Sequence, residues 1–445
     1  MMGLGSAIGA GLFLGTGAGI SIAGPAILLS YVAAGVLVVL VMRMLAELAS
    51  ALPSSGSFST YAEAGIGRWA GFTVGWVYWF TLIMVLGVEI TASSAIVHSW
   101  VPAVPQGVIA VVLIAAFAAV NLRGVRSFGE FEYWFAALKV GVIVVFLVIG
   151  TLLVLGWLPD RDPVGLANLV GEGGFAPQGI AGIAAGLLVV LFAFGGIEII
   201  TIAAAESDDP QRSIARAART IVWRILLFYI GSVAIMVTVL PWTSAELVAG
   251  PFVAVLGLAG IPALPTIMEV VVVVALMSAF NANLYGTSRM AYSLAERRDG
   301  PPALLRVSRA GVPVTSVLVS TAFALLSVLL NWWLPQGLLG ILLSAVGASL
   351  IAVWLAIVVA QIRLRPRLEA QGRRPTVRMW GHPWLSWATL ALLVGFVLLM
   401  LSDDAARAQA AATTVFVGAV AGIHAVREAA RRRSAAAPGG PADGT

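Results

Sequence analysis

Residues 3–19, G-L-G-S-A-I-G-A-G-L-F-L-G-T-G-A-G, are apolar enough to lie in a bilayer, yet seven of the seventeen are glycine. Glycine inside a helix costs about 1 kcal/mol relative to alanine. Gly9, Ala10 and Gly11 leave no bulk to shield the backbone. A helix of this composition is expected to break at 9–11 and turn its freed N–H and C=O groups toward a ligand. Broken backbone at membrane depth survives only where protein buries it or a cavity receives it. Close helix packing through small residues is the competing reading.

The remaining chain places this stretch in a membrane. It is 445 residues long, 60% hydrophobic and 11% charged, with mean hydropathy +0.99; a soluble domain carries about 25% charged residues. Without cysteine there is no disulfide, thiolate metal site or thiol nucleophile. His98, His382 and His424 lie far apart and form no metal cluster in sequence. A net charge of +5 does not point to nucleic acid, because its distribution tracks membrane orientation. No basic region precedes the first apolar run, so no cleavable signal peptide is expected.

Apolar runs of roughly 20 residues predict about twelve helices, near 3–22, 25–48, 70–98, 106–122, 131–156, 179–203, 219–241, 264–294, 313–332, 336–362, 383–402 and 411–428. The polar loop 157–178 is expected outside, and 431–445 as a disordered cytoplasmic tail. With both termini cytoplasmic, twenty-three of the 26 basic residues fall on inner segments, Arg161 and Arg407 fall outside, and Lys139 lies within a span. That asymmetry supports an even helix count and a multi-pass protein of the cell inner membrane.

The sixth run repeats the opening feature. It reads L-F-A-F-G-G-I-E-I-I, with Gly195 and Gly196 at mid-membrane and Glu198 two residues on. Five helices later, it runs in the opposite direction. Interrupted helices at matching positions of two inverted halves are the best sequence pointer to a transporter site at the midplane. Packing through small residues predicts no such correspondence.

Ionisable residues within spans are functional candidates because each costs about 2.5–3.5 kcal/mol on insertion scales. Lys139 is the chain's single lysine against 25 arginines. Arginine stays charged, whereas a buried lysine can release its proton, so Lys139 is expected to couple proton movement to transport. An ammonium snorkelling to the interface is the alternative. Glu89 is expected to meet a substrate amine or act as a second protonatable site, or else to be a protonated carboxyl bonded within the bundle. Glu198 is expected either to brace the second break or to touch substrate. Phe192 and Phe194 flank that break as gates or as packing. Asn281 and Asn283 are expected to join helices.

These motifs resemble the amino acid permeases of the amino acid–polyamine–organocation superfamily. G-S-A-I-G-A-G-L-F-L-G-T-G, M-R-M-L-A-E-L-A, G-W-V-Y-W, F-G-E-F-E-Y-W-F-A-A-L-K, A-E-S-D-D-P-Q-R-S-I-A-R and L-Y-G-T-S-R-M-A-Y-S-L-A occur in order over nearly the whole chain. I-T-I-A-A-A-E-S-D, H-S-W-V-P and V-R-M-W-G-H-P-W-L-S-W look most like the γ-aminobutyrate permease subgroup. The resemblance implies an all-α, LeuT-like membrane fold with an inverted five-plus-five repeat and discontinuous helices 1 and 6. On that scheme 1–156 is the first repeat, 179–365 the second, and 366–430 holds helices 11 and 12. It implies proton-coupled uptake, with no cofactor beyond the proton gradient and with amino acid and lipid bilayer as partners. N–H groups near Gly9, Ala10 and Gly11 would hold the substrate carboxylate, and the carbonyls of Ala7, Phe192 and Gly195 would face its amine. Lys139 matches a lysine that replaces sodium in proton-coupled relatives, and Glu89 a third-helix glutamate. Relatives carry about twenty residues before the first helix. Here the break falls about eight residues from Met1, about 12 Å of helix, so either a start assigned too late or a truncated chain is expected.

The reading is a proton-coupled amino acid importer, γ-aminobutyrate favoured and another neutral or aromatic amino acid second. A membrane enzyme would need a cluster of catalytic His, Cys, Asp or Glu near an interface, and a non-transporting sensor a large soluble extension. Neither pattern is present in the sequence.

Overall fold

The computed structural model describes residues 8–54, 56–123, 125–159, 162–199, 209, 211–216, 225–333, 338–373 and 375–436. Within them the chain is all-α, its only β feature being an isolated Val307–Pro313 bridge. The helices are α1 Thr16–Ala23, α2 Ile27–Ala51, α3 Ser57–Gly65, α4 Arg68–Trp100, α5 Gln106–Arg123, α6 Val125–Leu155, α7 Gly179–Ala193, α8 Gly231–Val239, α9 Pro251–Gly257, α10 Leu264–Glu296, α11 Val314–Trp333, α12 Leu338–Ala370, α13 Trp384–Met400 and α14 Asp404–Ala436. Seven helical runs are long and apolar enough to cross a bilayer, and four shorter ones are apolar. The first run, 11–51, doubles back where Gly24, at φ +63°, opens the Gly24–Ala26 turn between α1 and α2.

Burial is inverted relative to a water-soluble protein. Val112, Val148, Leu329, Leu398 and Val415 are more than half exposed on outward helix faces, while Glu89, Glu198, Lys139, Asn281 and Asn283 are buried. Hydrocarbon as outer solvent accounts for both: apolar side chains face it at no penalty, and polar groups withdraw into the bundle. The chain is a multi-pass membrane protein.

The central pair is α4 with α10, which pack along one another, and α12, α5 and α11 surround α4. Small residues set the closest approaches. A Cβ on Gly65 would meet Ala360 Cα at 2.8 Å, and one on Gly75 would meet Leu294 at 2.6 Å. At one end, buried Glu47 on α2 accepts hydrogen bonds from Gln361 Nε2 (3.2 Å), Arg365 Nη1 (3.3 Å) and the Met379 N–H (2.6 Å). Arg297 joins Glu63 (2.8 Å), and Arg68 lies 3.6 Å from buried Asp299.

Two differences from the sequence reading concern polarity and length. Short α3 is too polar to register as an apolar run, and α9, though apolar, is only seven residues long. Beyond the expected boundary at 430, α14 continues to Ala436. Its arginines and alanines are strong helix formers, and Arg427 and Arg431 donate to the Arg298 carbonyl. Residues 437–445 lie outside the described residues.

Candidate functional site

At the first break the chain bends at Ile8–Gly9 and becomes helical at Ala10. The N–H groups of Leu12 and Phe13 both donate to the Gly9 carbonyl at 3.2 Å. Residues 11–15 then form one wide π-turn before α1. π-Turns recur at functional sites because the ladder is locally disrupted, and a helix start presents N–H groups without intrahelical acceptors. Ala10 and Gly11 are the first helical residues among the described ones, and their N–H groups bond no described residue. Thr16 secures the turn by donating to the Leu12 carbonyl (2.7 Å) and bonding the Tyr31 hydroxyl (2.9 Å). Ala7 lies outside the described residues.

At the second break α7 stops at Ala193, and residues 194–198 form a turn. The Gly195 N–H bonds the Phe192 carbonyl at 2.9 Å, and Gly196 adopts φ +87°, a conformation suited to glycine. Glu198 curls back over this turn. Its Oε2 accepts the Gly196 N–H (3.0 Å), and its Oε1 accepts the indole N–H of Trp354 on α12 (2.6 Å). Buried Tyr78 of α4 is an electrostatic neighbour of the same carboxylate. Both oxygens therefore hold the break in shape.

The two breaks touch. A Cβ on Gly11 would fall inside the van der Waals envelope of Ala193 Cα, the residue at which α7 ends. Gly9 is clamped between α4 and α10: its Cβ position lies 2.7 Å from Glu89 Oε1 and 2.8 Å from Ala279 Cβ. Asn283, one turn beyond Ala279, donates its Nδ2–H to both Glu89 oxygens at 3.3 and 3.2 Å. The segment Gly9–Gly11 thus links Glu89 of α4 and Ala279 of α10 on one side to Ala193, the end of α7, on the other. The aromatic wall there continues from Phe194 to Tyr31 (6.1 Å) and Tyr229 (4.8 Å).

The amino acid permease family model matches residues 1–426. The chain belongs to the amino acid permease family. Relatives of the permease include an aromatic amino acid transport protein of Corynebacterium glutamicum, 53% identical over 94% of this chain and 91% of the relative. A γ-aminobutyric acid permease of Bacillus subtilis is 42% identical over 94% and 90%. An aromatic amino acid transport protein of Escherichia coli is 36% identical over 90% and 88%.

In the permease, Lys139 is fully buried. Ala136, Lys139, Ile143, Phe146, Gly150 and Leu153 form one buried stripe of α6, spaced three and four residues apart as one helix face requires. Along that stripe Phe146 meets Phe252 of α9 at 4.4 Å, and Phe252 meets Phe13 of the first break at 4.9 Å. Lys139 thus sits on the buried face of α6, the face that packs against α8, α9 and α10. Beyond the aromatic pair opens a cavity of about 510 Å³ lined by Phe13, Phe252, Ser99, Glu246 and Glu269. Among the described residues no group of three or more His, Cys, Asp and Glu could hold a metal ion.

Trp354 is not among the residues singled out in the sequence. Its signal was its place in the apolar run I-A-V-W-L-A-I, where a buried indole N–H needs an acceptor. Asn283 carried a weaker signal, since mid-helix amides usually join helices; Asn281 does so, accepting from Asn121 Nδ2 at 2.7 Å.

Proposed function

We propose that the permease imports an amino acid by alternating access, driven by the proton gradient, and that the substrate lies between the two breaks. The observation that carries this is the contact of Gly11 with Ala193, which brings a helix start and a helix end together in the buried core. A helix start favours a carboxylate, and the carbonyl end of α7 favours an amine. The family supports amino acid as the substrate class. Buried Lys139 supports proton coupling, because a lysine can cycle between charged and neutral forms where an arginine cannot. Twelve spans, an inverted repeat and cytoplasmic termini complete the proposal.

For the substrate, an aromatic amino acid stands first, supported by the name of the 53% identical relative and by the ring-lined wall of Phe192, Phe194, Tyr31 and Tyr229. γ-Aminobutyrate stands second, supported by the sequence motifs and by relatives at 42–44% identity named for it. Proteoliposomes with an imposed pH gradient and an uptake panel of phenylalanine, tyrosine, tryptophan, γ-aminobutyrate and alanine test this. Accumulation of an aromatic amino acid that collapses with a protonophore is expected. Uptake that followed sodium and ignored the pH gradient would remove the coupling claim, and γ-aminobutyrate outcompeting phenylalanine would reverse the substrate order.

A further inference from the structure

The amide of Asn283 is buried, with 1% of its surface exposed. Its nitrogen faces Glu89 and donates to both carboxylate oxygens. The opposite orientation would set oxygen against oxygen. This leaves Asn283 Oδ1 pointing away, buried and with no hydrogen-bond partner among the described residues. A buried acceptor without a donor costs more than an ordinary hydrogen bond contributes, so native proteins supply one. Ala279, four residues earlier and on the same face of α10, touches Gly9 of the first break. Asn283 therefore lies one turn along the α10 face that meets the first break, bonded to the acid that contacts that break.

We propose that Asn283 Oδ1 and the Glu89 carboxylate together receive the primary ammonium group of the substrate, making Asn283 a binding residue that selects for an amine. This rests on the transport reading above and specifies one end of its ligand. The chemistry follows from donor counting. A primary ammonium has three N–H donors, enough to satisfy the amide oxygen and the carboxylate at once. Its positive charge is favoured beside a carboxylate, whereas a hydroxyl or an uncharged edge gains nothing from that neighbour. The Glu89–Asn283 bond fixes the amide plane before the substrate arrives, so little ordering is left for the binding step.

The test is a matched-pair competition in proteoliposomes of the full chain, using L-phenylalanine with 3-phenylpropionate and γ-aminobutyrate with butyrate. The two members of each pair differ by the amine alone. The unaltered chain is expected to bind the amine-bearing member of its preferred pair at least about tenfold more tightly. Asn283→Leu, similar in shape, is expected to reduce that ratio about tenfold by weakening only the amine-bearing member. Asn283→Gln, which keeps both an amide oxygen and an N–H donor for Glu89, is expected to preserve more of it than the leucine variant. Should the leucine variant fail to insert, Asn283→Ala makes the same comparison. Equal weakening of both members would overturn the proposal in favour of a structural water or packing, and so would an unchanged ratio. A wild-type chain that binds no member of either pair would overturn the transport reading itself, a result separable from selective binding that ignores position 283.

Discussion

The point where a Cβ on Gly9 would stand is 2.7 Å from Oε1 of Glu89. The first break and the third-span acid thus press together with no room for even a methyl group. Gly9→Ala is expected to displace either the carboxylate or the break, costing about 1–3 kcal/mol as overpacking does, and to lower uptake by more than tenfold. Gly11→Ala should be worse, because the obstacle is the Ala193 backbone. Gly395 on α13 has open space around its Cβ position, so Gly395→Ala should leave uptake unchanged and add about 0.5–1 kcal/mol of helix stability. Uptake and thermal stability in detergent decide. Normal uptake by the Gly9 variant would show that this contact is dispensable.

Trp354→Phe keeps an aromatic ring but removes the indole N–H that Glu198 accepts at 2.6 Å, together with part of a fully buried ring system. A buried carboxylate oxygen short of a donor costs about 1–3 kcal/mol. The other oxygen holds the Gly196 N–H, so the second break should loosen and uptake should fall. Glu198→Gln and the double variant complete a cycle in which the two effects are expected to be non-additive. Additive losses would mean that Trp354 and Glu198 act separately.

Lys139→Ala is expected to abolish uphill, proton-driven accumulation while sparing exchange of labelled for unlabelled substrate across the same vesicles. Lys139→Arg keeps a charge but not a removable proton, and should behave like the alanine variant in accumulation. Concentrative uptake by either variant would remove the lysine from the coupling step.

His382 lies in the connection before α13, with Nδ1 3.0 Å from Ser386 Oγ. Partial burial first, and the Arg365 charge second, lower its pKa below the ordinary 6.5. The unfolded chain therefore binds the extra proton at higher pH than the folded one. Between the lowered value and 6.5 the unfolded state holds more protons, so stability rises with pH across that window and is lost on acidification below about 6.5. Melting curves of wild type and His382→Gln from pH 5 to 7.5 should show a shallower acid limb in the variant. Parallel curves would assign acid sensitivity elsewhere.

Much of the architecture was legible because the bilayer leaves few options: a long apolar run must be a helix, and α4, α5 and α10 begin and end within about two residues of their expected limits. The breaks at Gly9–Gly11 and Gly195–Gly196 were legible for the same reason, as places where that rule fails. Short α3 and α9 were not, since α3 lacks the hydropathy and α9 the length that announces a span. The role of Glu198 stood open between brace and contact, because a carboxylate two residues past a break says nothing of where its oxygens point. Trp354 stands 156 residues away in the chain, and no local pattern connects the two.

The sequence by itself determined the solvent of this protein, the positions where its helices fail, and the handful of ionisable groups worth their desolvation. These are properties of composition and short-range spacing, set by the energy of placing each residue in hydrocarbon. Only the tertiary structure decided that the two failures meet at Gly11 and Ala193, that Glu89 lies against Gly9, and that Asn283 holds Glu89 through its nitrogen while its oxygen stays unmatched. Those contacts depend on how separate helices pack, and packing joins residues that hydropathy treats one at a time.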